Sequence, residues 1–246
     1  MSTAHRAVAR ALIVTHTAHR ILEHALWGIT MAVRLFRSIF IHVPKTGGTW
    51  VRGALRAAGL YHADVGRDHA TPAELAVAPA FQTSAMVFGF VRHPLAWYQS
   101  YWCYRMKHGW HRPSPGEVAA PIRTVTLDAH CRDDRFDRFV EKCLQRYPQG
   151  WVSHLYAHYT AGCTFVGRQE RLVEDLLLAL LIAGEPVDAA RVRNHPPQNV
   201  AGQQAAWRQQ CQYPAELEQR VLAAERQALE CWGYVSSPCS ACRANV

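Results

Sequence analysis

Lysine is scarce in this chain of 246 residues: Lys and Arg together number 27, but only Lys45, Lys107 and Lys142 are lysines. The net charge of +8 therefore rests almost entirely on arginine. No long basic run and no nucleic-acid-binding motif occurs, so we expect no nucleic-acid partner. The basic balance instead suits a small anionic ligand such as a nucleotide or an acidic sugar.

Long apolar runs and export signals are also missing. The longest apolar stretch, residues 21–33, contains Glu23 and His24 and is too short and too polar to span a bilayer. No cleavage site follows it, so we expect neither a signal peptide nor a transmembrane segment. Residues 1–36 are predicted to form an N-terminal helical extension, whose basic, amphipathic character also suits weak contact with a membrane surface.

Cysteine is present without the spacing of a metal site. Most of the 8 cysteines lie in apolar segments, as reduced and buried thiols do. Cys239 and Cys242 form one C-x-x-C with no second pair or His cluster beside it, so no metal is expected. We predict that residues 236–246 are a C-terminal tail. Reduced thiols and the missing export signal favour a cytoplasmic location.

Predicted strands and helices alternate along residues 37–235. Thr71 and Glu74 form a capping-box pattern that marks one helix start. This order predicts a single α/β domain with a parallel β-sheet flanked by helices, which binds ligands at the carboxyl ends of its strands. The predicted strands are 37–43, 85–91 and 163–167, and the predicted helices are 49–58, 94–106, 133–147, 151–160, 170–183 and 214–232.

A glycine-containing loop joins the first predicted strand to the first helix. Its two glycines let the backbone approach a ligand, its two threonines offer hydroxyl groups, and Lys45 adds a full charge. The helix start that follows favours a bound anion through its free N–H groups and its dipole. The lysine precedes the glycines, unlike in a Walker A loop, which argues against an ATPase or GTPase. The loop and helix start consist of Pro44, Lys45, Thr46, Gly47, Gly48, Thr49 and Trp50.

Residues 39–50, Ile-Phe-Ile-His-Val-Pro-Lys-Thr-Gly-Gly-Thr-Trp, resemble the 5′-phosphosulfate loop of the sulfotransferase family. The segment from Phe90 to Ser100 is similar to the 3′-phosphate site of the same family. There, Arg92 leaves the second strand and Ser100 follows eight residues later on the next helix. An arginine offers forked donors to a phosphate, and a serine adds one more.

The resemblance covers about residues 37–235 and implies a sulfotransferase with a P-loop-NTPase-like fold. The sulfate donor would be 3′-phosphoadenosine 5′-phosphosulfate (PAPS), with adenosine 3′,5′-bisphosphate (PAP) as product and no metal. The acceptor would be a hydroxyl of a carbohydrate or other small metabolite, while the oligomeric state stays open. Lys45 would act catalytically by stabilising charge on the leaving phosphate. The donor-binding residues implied are Lys45, Thr46, Gly47, Gly48, Thr49, Trp50, Arg92 and Ser100.

The acceptor hydroxyl also needs a general base, which is a histidine in many enzymes that work near neutral pH. The resemblance implies a catalytic His or Glu between the two phosphate loops, where His69 precedes the capped helix. His62 and Asp64 compete with His69 for this role.

One departure from the family pattern concerns the 3′-phosphate. Family members often carry Arg or Lys in a late loop that touches it, whereas the corresponding loop here contains Asn199. Arg191 and Arg193 lie close to that loop in the sequence. A P-loop kinase of a small substrate and a non-catalytic nucleotide-binding module stay open as alternatives.

Overall fold

A five-stranded sheet lies at the centre of the protein. The computed structural model describes residues 32–66, 69–110, 127–198 and 205–235, which all belong to one compact unit. The strands lie side by side in the order β3-β1-β2-β4-β5. They are β1 (Ala32–Arg34), β2 (Ser38–Phe40), β3 (Ala63–Val65), β4 (Met86–Val91) and β5 (Phe165–Arg168).

The sheet is mixed, so the prediction of a parallel sheet is confirmed only in part. β2, β4 and β5 run parallel to one another, but β1 is antiparallel to both β2 and β3. A tight turn, in which the Leu35 N–H donates to the Ser38 carbonyl, joins β1 to β2. β1 also lies within residues 1–36, for which the sequence predicts a helix. A three-residue strand shows no hydrophobic period of its own, and β1 and β3 lack the apolar run of residues 39–43 from which β2 was predicted, which is why both escaped the prediction.

Helices flank the sheet close to the predicted positions. The predicted capping box is confirmed, because Thr71 and Glu74 bond each other's backbone at the start of a short helix. The predicted helix 214–232 is two helices that meet at Glu225. The described helices are α1 (Gly48–Ala57), α2 (Pro72–Leu75), α3 (Pro79–Gln82), α4 (Pro94–His108), α5 (Phe136–Arg146), α6 (Trp151–Thr160), α7 (Leu172–Ile182), α8 (Ala189–Arg193), α9 (Ala205–Gln210), α10 (Ala215–Ala224) and α11 (Arg226–Cys231).

The central strand β4 is buried on both faces. Its side chains alternate between two apolar clusters, because successive residues of a strand point to opposite sides. Val87 and Val91 join the cluster formed with α4, α5 and α6. Phe88 and Phe90 join the cluster formed with α1 and α7. A strand covered on both faces reads as a continuous apolar run, which explains why β4 was predictable from sequence.

A buried carboxylate lies at the break between α10 and α11. Glu225 accepts hydrogen bonds from the Tyr98 hydroxyl at 2.7 Å and from the Val152 N–H at 2.9 Å. The Ser153 N–H and hydroxyl also donate to it, at 2.7 and 2.8 Å. Burial raises the pKa of this carboxyl above its usual range. Glu225 thus accepts hydrogen bonds from the free N–H groups in the first turn of α6, a helix whose own N-cap residue provides no side-chain hydrogen bond.

Among the described residues, no helix has the length and apolar character needed to cross a membrane, and no cluster of three or more His, Cys, Asp or Glu could hold a metal ion.

Cys231 is disulfide-bonded, which departs from the expectation that the thiols are reduced. Residues 1–31, Cys239 and Cys242 lie outside the described residues. The free thiols in the described part are Cys103, Cys131, Cys143, Cys163 and Cys211.

Candidate functional site

The carboxyl ends of three parallel strands bring the candidate site together. The loop that begins at Pro44 follows β2, Arg92 follows β4, and Arg168 ends β5. Because β2, β4 and β5 run in the same direction, these segments emerge from one edge of the sheet. Ligands of open α/β sheets bind at this edge.

The first loop has the backbone shape of an anion site. Gly47 has a φ of 89° and is the N-cap of α1, where no side chain bonds the first-turn N–H groups. Those N–H groups and the positive end of the helix dipole are therefore available to an anion. Lys45 also has a positive φ, 67°, which costs a non-glycine residue roughly 1–2 kcal/mol. Such strain at a loop that feeds a helix start is typical of a functional site.

Thr46 stabilises the loop from inside. It is buried, and its hydroxyl donates to the Val43 carbonyl at 2.9 Å. This differs from the expectation that its proton serves a ligand. Thr49 lies half-buried in the first turn of α1. Trp50 is buried in the apolar cluster with α7, and its ring lies 5.7 Å from that of His195.

Gly48 is needed because His42 leaves no room for a side chain. A Cβ atom at Gly48 would collide with the His42 ring, which is itself buried. Burial lowers the pKa of His42 well below its usual range, and the nearby charges of His69, Arg52 and Lys45 act in the same direction. His42 is therefore a neutral packing residue that shapes the loop from beneath.

Lys45 lies in a strongly cationic environment. Its ammonium group is 4.3 Å from the centroid of the Tyr104 ring. Burial, together with the charges of Arg92 and Arg105, lowers the pKa of Lys45 to about 8. Three cations from three elements thus converge on one region. An anion bound there would relieve their repulsion and would raise the pKa of Lys45 again.

The Tyr156 hydroxyl holds Arg92 at the end of β4. It accepts from the Arg92 N–H at 2.9 Å and donates to the Arg92 carbonyl at 2.7 Å. Burial lowers the pKa of the Arg92 guanidinium. Its Nε is buried and finds no hydrogen-bond partner among the described residues. A buried donor without a partner costs about 1–3 kcal/mol, so Arg92 is suited to receive an external acceptor.

A cavity of about 200 Å³ lies at the second predicted loop, the segment from Phe90 to Ser100. Arg92 and Ser100 both line it. Arg208, on α9, adds a second guanidinium to the same cavity. The described residues that line it are Arg92, Gln99, Ser100, Cys103, Arg208 and Cys211.

Sequence reasoning missed Arg208, because one arginine in a short helix carries no motif. Only the apparent lack of charge in the late loop suggested that a cation was missing. The two arginines named for that place lie elsewhere: Arg191 and Arg193 are on α8, which packs on α1 and α7. Arg191 forms an exposed ion pair with Asp188 at 3.5 Å. Asn199 lies outside the described residues.

The three candidate bases lie in different environments. The rings of His69 and His42 are 5.4 Å apart, which places His69 beside the segment that leads into the first loop. His62 is exposed, and its backbone N–H donates to the Arg34 carbonyl at 3.0 Å. Arg34 ends β1 just before the turn to the start of β2, so His62 lies opposite the edge formed by the carboxyl ends of the parallel strands. Asp64 is paired with Arg52 at 2.8 Å. The fold thus brings His69 to the site edge, excludes His62 from it, and engages Asp64 in an ion pair.

Comparison of the chain with protein-family models, with curated proteins and with solved structures finds no match.

Proposed function

We propose that this protein is a sulfotransferase that transfers the sulfuryl group of PAPS to an acceptor hydroxyl. One observation carries the proposal: Arg92 and Ser100, at the spacing of the family's 3′-phosphate site, line one cavity together with Arg208. The Lys45 loop leaves the same edge of the sheet from the neighbouring strand. A nucleotide with phosphate groups at both its 5′ and 3′ positions needs two such sites.

The residues of the cavity fit a phosphate. Two guanidinium groups, of Arg92 and Arg208, match the charge of a phosphate monoester, which is about −1.5 to −2 at neutral pH. The unpartnered Nε of Arg92 and the Ser100 hydroxyl are donors suited to its oxygens. The Tyr156 contacts fix the backbone of Arg92, so little conformational entropy is lost when the ligand binds.

Lys45 has the charge and the position to act on the leaving phosphate. When bound, PAPS supplies a sulfuryl group that is only loosely bonded in the transition state, as in phosphoryl transfer. With a pKa of about 8, Lys45 is mostly protonated at neutral pH. Its ammonium group and the first-turn N–H groups of α1 would stabilise the charge that develops on the leaving oxygen.

His69 is the best placed of the three predicted bases. It would accept the proton that the acceptor hydroxyl loses, a role that typically contributes roughly 10²- to 10⁴-fold. The ring of Tyr104, 37% exposed, lies over Lys45 and offers an aromatic surface to a sugar or another planar acceptor. We therefore include a carbohydrate or small-metabolite acceptor in the proposal. We also include a cytoplasmic location, because PAPS is made in the cytoplasm.

Thermal unfolding with PAP, and separately with ATP and Mg²⁺, tests the proposal. PAP at 100 times its Kd should stabilise the protein by about 2.7 kcal/mol, which raises Tm by roughly 5–10 °C. We expect this shift to shrink in Arg92→Ala, Arg208→Ala and Lys45→Ala. Arg226→Ala is the matched control, because it removes a positive charge from an exposed ion pair and should keep the full shift.

The outcomes separate the alternatives. A shift with ATP and Mg²⁺ alone would refute the proposal in favour of a kinase. A shift with PAP but no sulfate transfer from PAPS to any of a panel of hydroxyl acceptors would favour a binding module. Turnover that falls in His69→Gln while PAP affinity stays unchanged would support the proposed base.

A further inference from the structure

Two thiols from distant parts of the chain meet in the wall of the Arg92 cavity. The Sγ of Cys103, on α4, lies 3.4 Å from the Sγ of Cys211, the residue that follows α9. Both cysteines are free thiols, and both line the cavity. The proposed sulfuryl transfer uses neither, so their presence beside Ser100 and Arg208 calls for another explanation.

The pair is close to the geometry of a disulfide. An S–S bond is about 2.05 Å long, so the two sulfur atoms must approach by about 1.4 Å from their separation of 3.4 Å. The backbone around them is already held together, because the Gln99 amide donates to the Cys211 carbonyl at 2.8 Å. Side-chain rotation and a small movement of α9 would close the remaining gap.

The surroundings of Cys103 favour its thiolate form. The contact with Cys211 and the charges of Arg208, Lys45 and Arg92 outweigh burial and together lower the pKa of Cys103 to about 7. The same contact, together with burial, raises the pKa of Cys211. A thiolate is the form of cysteine that attacks oxidants, and it lies next to a thiol that can resolve the product.

We propose that Cys103 and Cys211 are a dithiol–disulfide pair, oxidised by a hydroperoxide, that cross-links α9 to α4 across the cavity. The Cys103 thiolate attacks one peroxide oxygen, the O–O bond breaks, and a sulfenic acid and hydroxide form; the hydroxide becomes water by taking up the proton that Cys103 released as it ionised. Cys211 then attacks the Cys103 sulfur, and its proton leaves with the sulfenic hydroxyl as water. In sum, two thiols are oxidised to a disulfide and one hydrogen peroxide is reduced to two waters.

Closure of the disulfide alters the anion site. Cys211 comes three residues after Arg208, so drawing it towards α4 moves Arg208 relative to Arg92 and narrows the cavity. PAP should therefore bind the oxidised protein more weakly. By linkage, bound PAP should oppose disulfide formation by the same factor at equilibrium. This consequence rests on the proposed function, whereas the cross-link itself does not.

Peptide mapping of the full chain tests the cross-link. Fully reduced protein is treated with hydrogen peroxide, alkylated, digested and analysed by mass spectrometry. We expect a linked peptide pair containing Cys103 and Cys211, which dithiothreitol separates again. Cys163→Ser is the control that should still form it, because Cys163 bonds the Tyr159 carbonyl and is not among the cavity-lining residues. Sulfinic acid at Cys103 beside an unmodified Cys211 would overturn the proposal, and this wild-type result needs no variant to fold.

Calorimetric titration of PAP into reduced and oxidised protein tests the consequence. We expect oxidation to raise Kd at least tenfold in wild type and in Cys163→Ser, and to leave Kd unchanged in Cys103→Ser, which lacks the thiolate that attacks peroxide. A mapped cross-link with unchanged Kd would overturn the effect on the anion site. If reduced wild type failed to bind PAP while the cross-link formed, the proposed function would fall and the redox pair would stand.

Discussion

The Tyr156 hydroxyl should contribute more to the free energy of unfolding than the hydroxyl of an ordinary buried tyrosine, because it bonds both the N–H and the carbonyl of Arg92. Tyr156→Phe removes two hydrogen bonds, of 2.9 and 2.7 Å, and leaves a backbone N–H and a carbonyl unsatisfied at the end of β4. Each bond contributes about 1 kcal/mol, and each orphaned group costs about 1–3 kcal/mol. We expect a loss of about 2–4 kcal/mol, or roughly 4–16 °C in Tm for a chain of this size.

Circular dichroism during heating measures the loss, with Tyr213→Phe as the matched control. The Tyr213 hydroxyl donates one hydrogen bond, to the Leu95 carbonyl at 2.9 Å. That variant should lose only about 1 kcal/mol. If Tyr156 also positions Arg92 for a phosphate, then PAP affinity should fall in Tyr156→Phe and hold in Tyr213→Phe. Equal loss of stability in the two variants would refute the reasoning, because it would show that the Arg92 backbone does not depend on the second bond.

Three further predictions concern the loop and the core. The affinity for PAP should fall as pH rises through about 8, where Lys45 loses its proton. Lys45→Arg in a Cys103→Ser background should abolish this fall, because a guanidinium stays protonated and the Cys103 thiolate, which forms at about pH 7 in the Arg92 cavity, is absent. Calorimetry above about pH 7, where the phosphates are already ionised, measures the affinity. Glu225→Ala should cost about 4 kcal/mol or more in a urea titration, because four hydrogen bonds to a buried carboxylate are lost, and a cost under about 2 kcal/mol would contradict this account. Gly48→Ala should cost about 1–3 kcal/mol by collision with the His42 ring, and adding His42→Ala should recover part of that loss; no recovery in the double variant would argue against the collision.

Local sequence was a good guide wherever a structure depends on neighbours within a few residues. The capping box at Thr71 and Glu74 and the run that forms β4 were both predictable for this reason. The start of α1 was within one residue of its predicted position. The pairing of β1 with β2 and β3 was not predictable, because three-residue strands are stabilised by their partners rather than by their own pattern.

The α/β class, the two loops at the strand ends and the spacing of Arg92 and Ser100 can all be read from the order of residues. Which distant residues complete the site depends on tertiary packing. Cys103 and Cys211 are 108 positions apart in the chain, yet their sulfur atoms lie 3.4 Å apart, and the same packing of α9 on α4 brings Arg208 to the cavity. Tertiary packing also decided that His69, and not His62, reaches the site edge. The hydrophobic period and helix capping depend on residues within one turn or one strand. Whether two charged groups or two thiols from distant segments lie close together depends on how whole helices and strands pack.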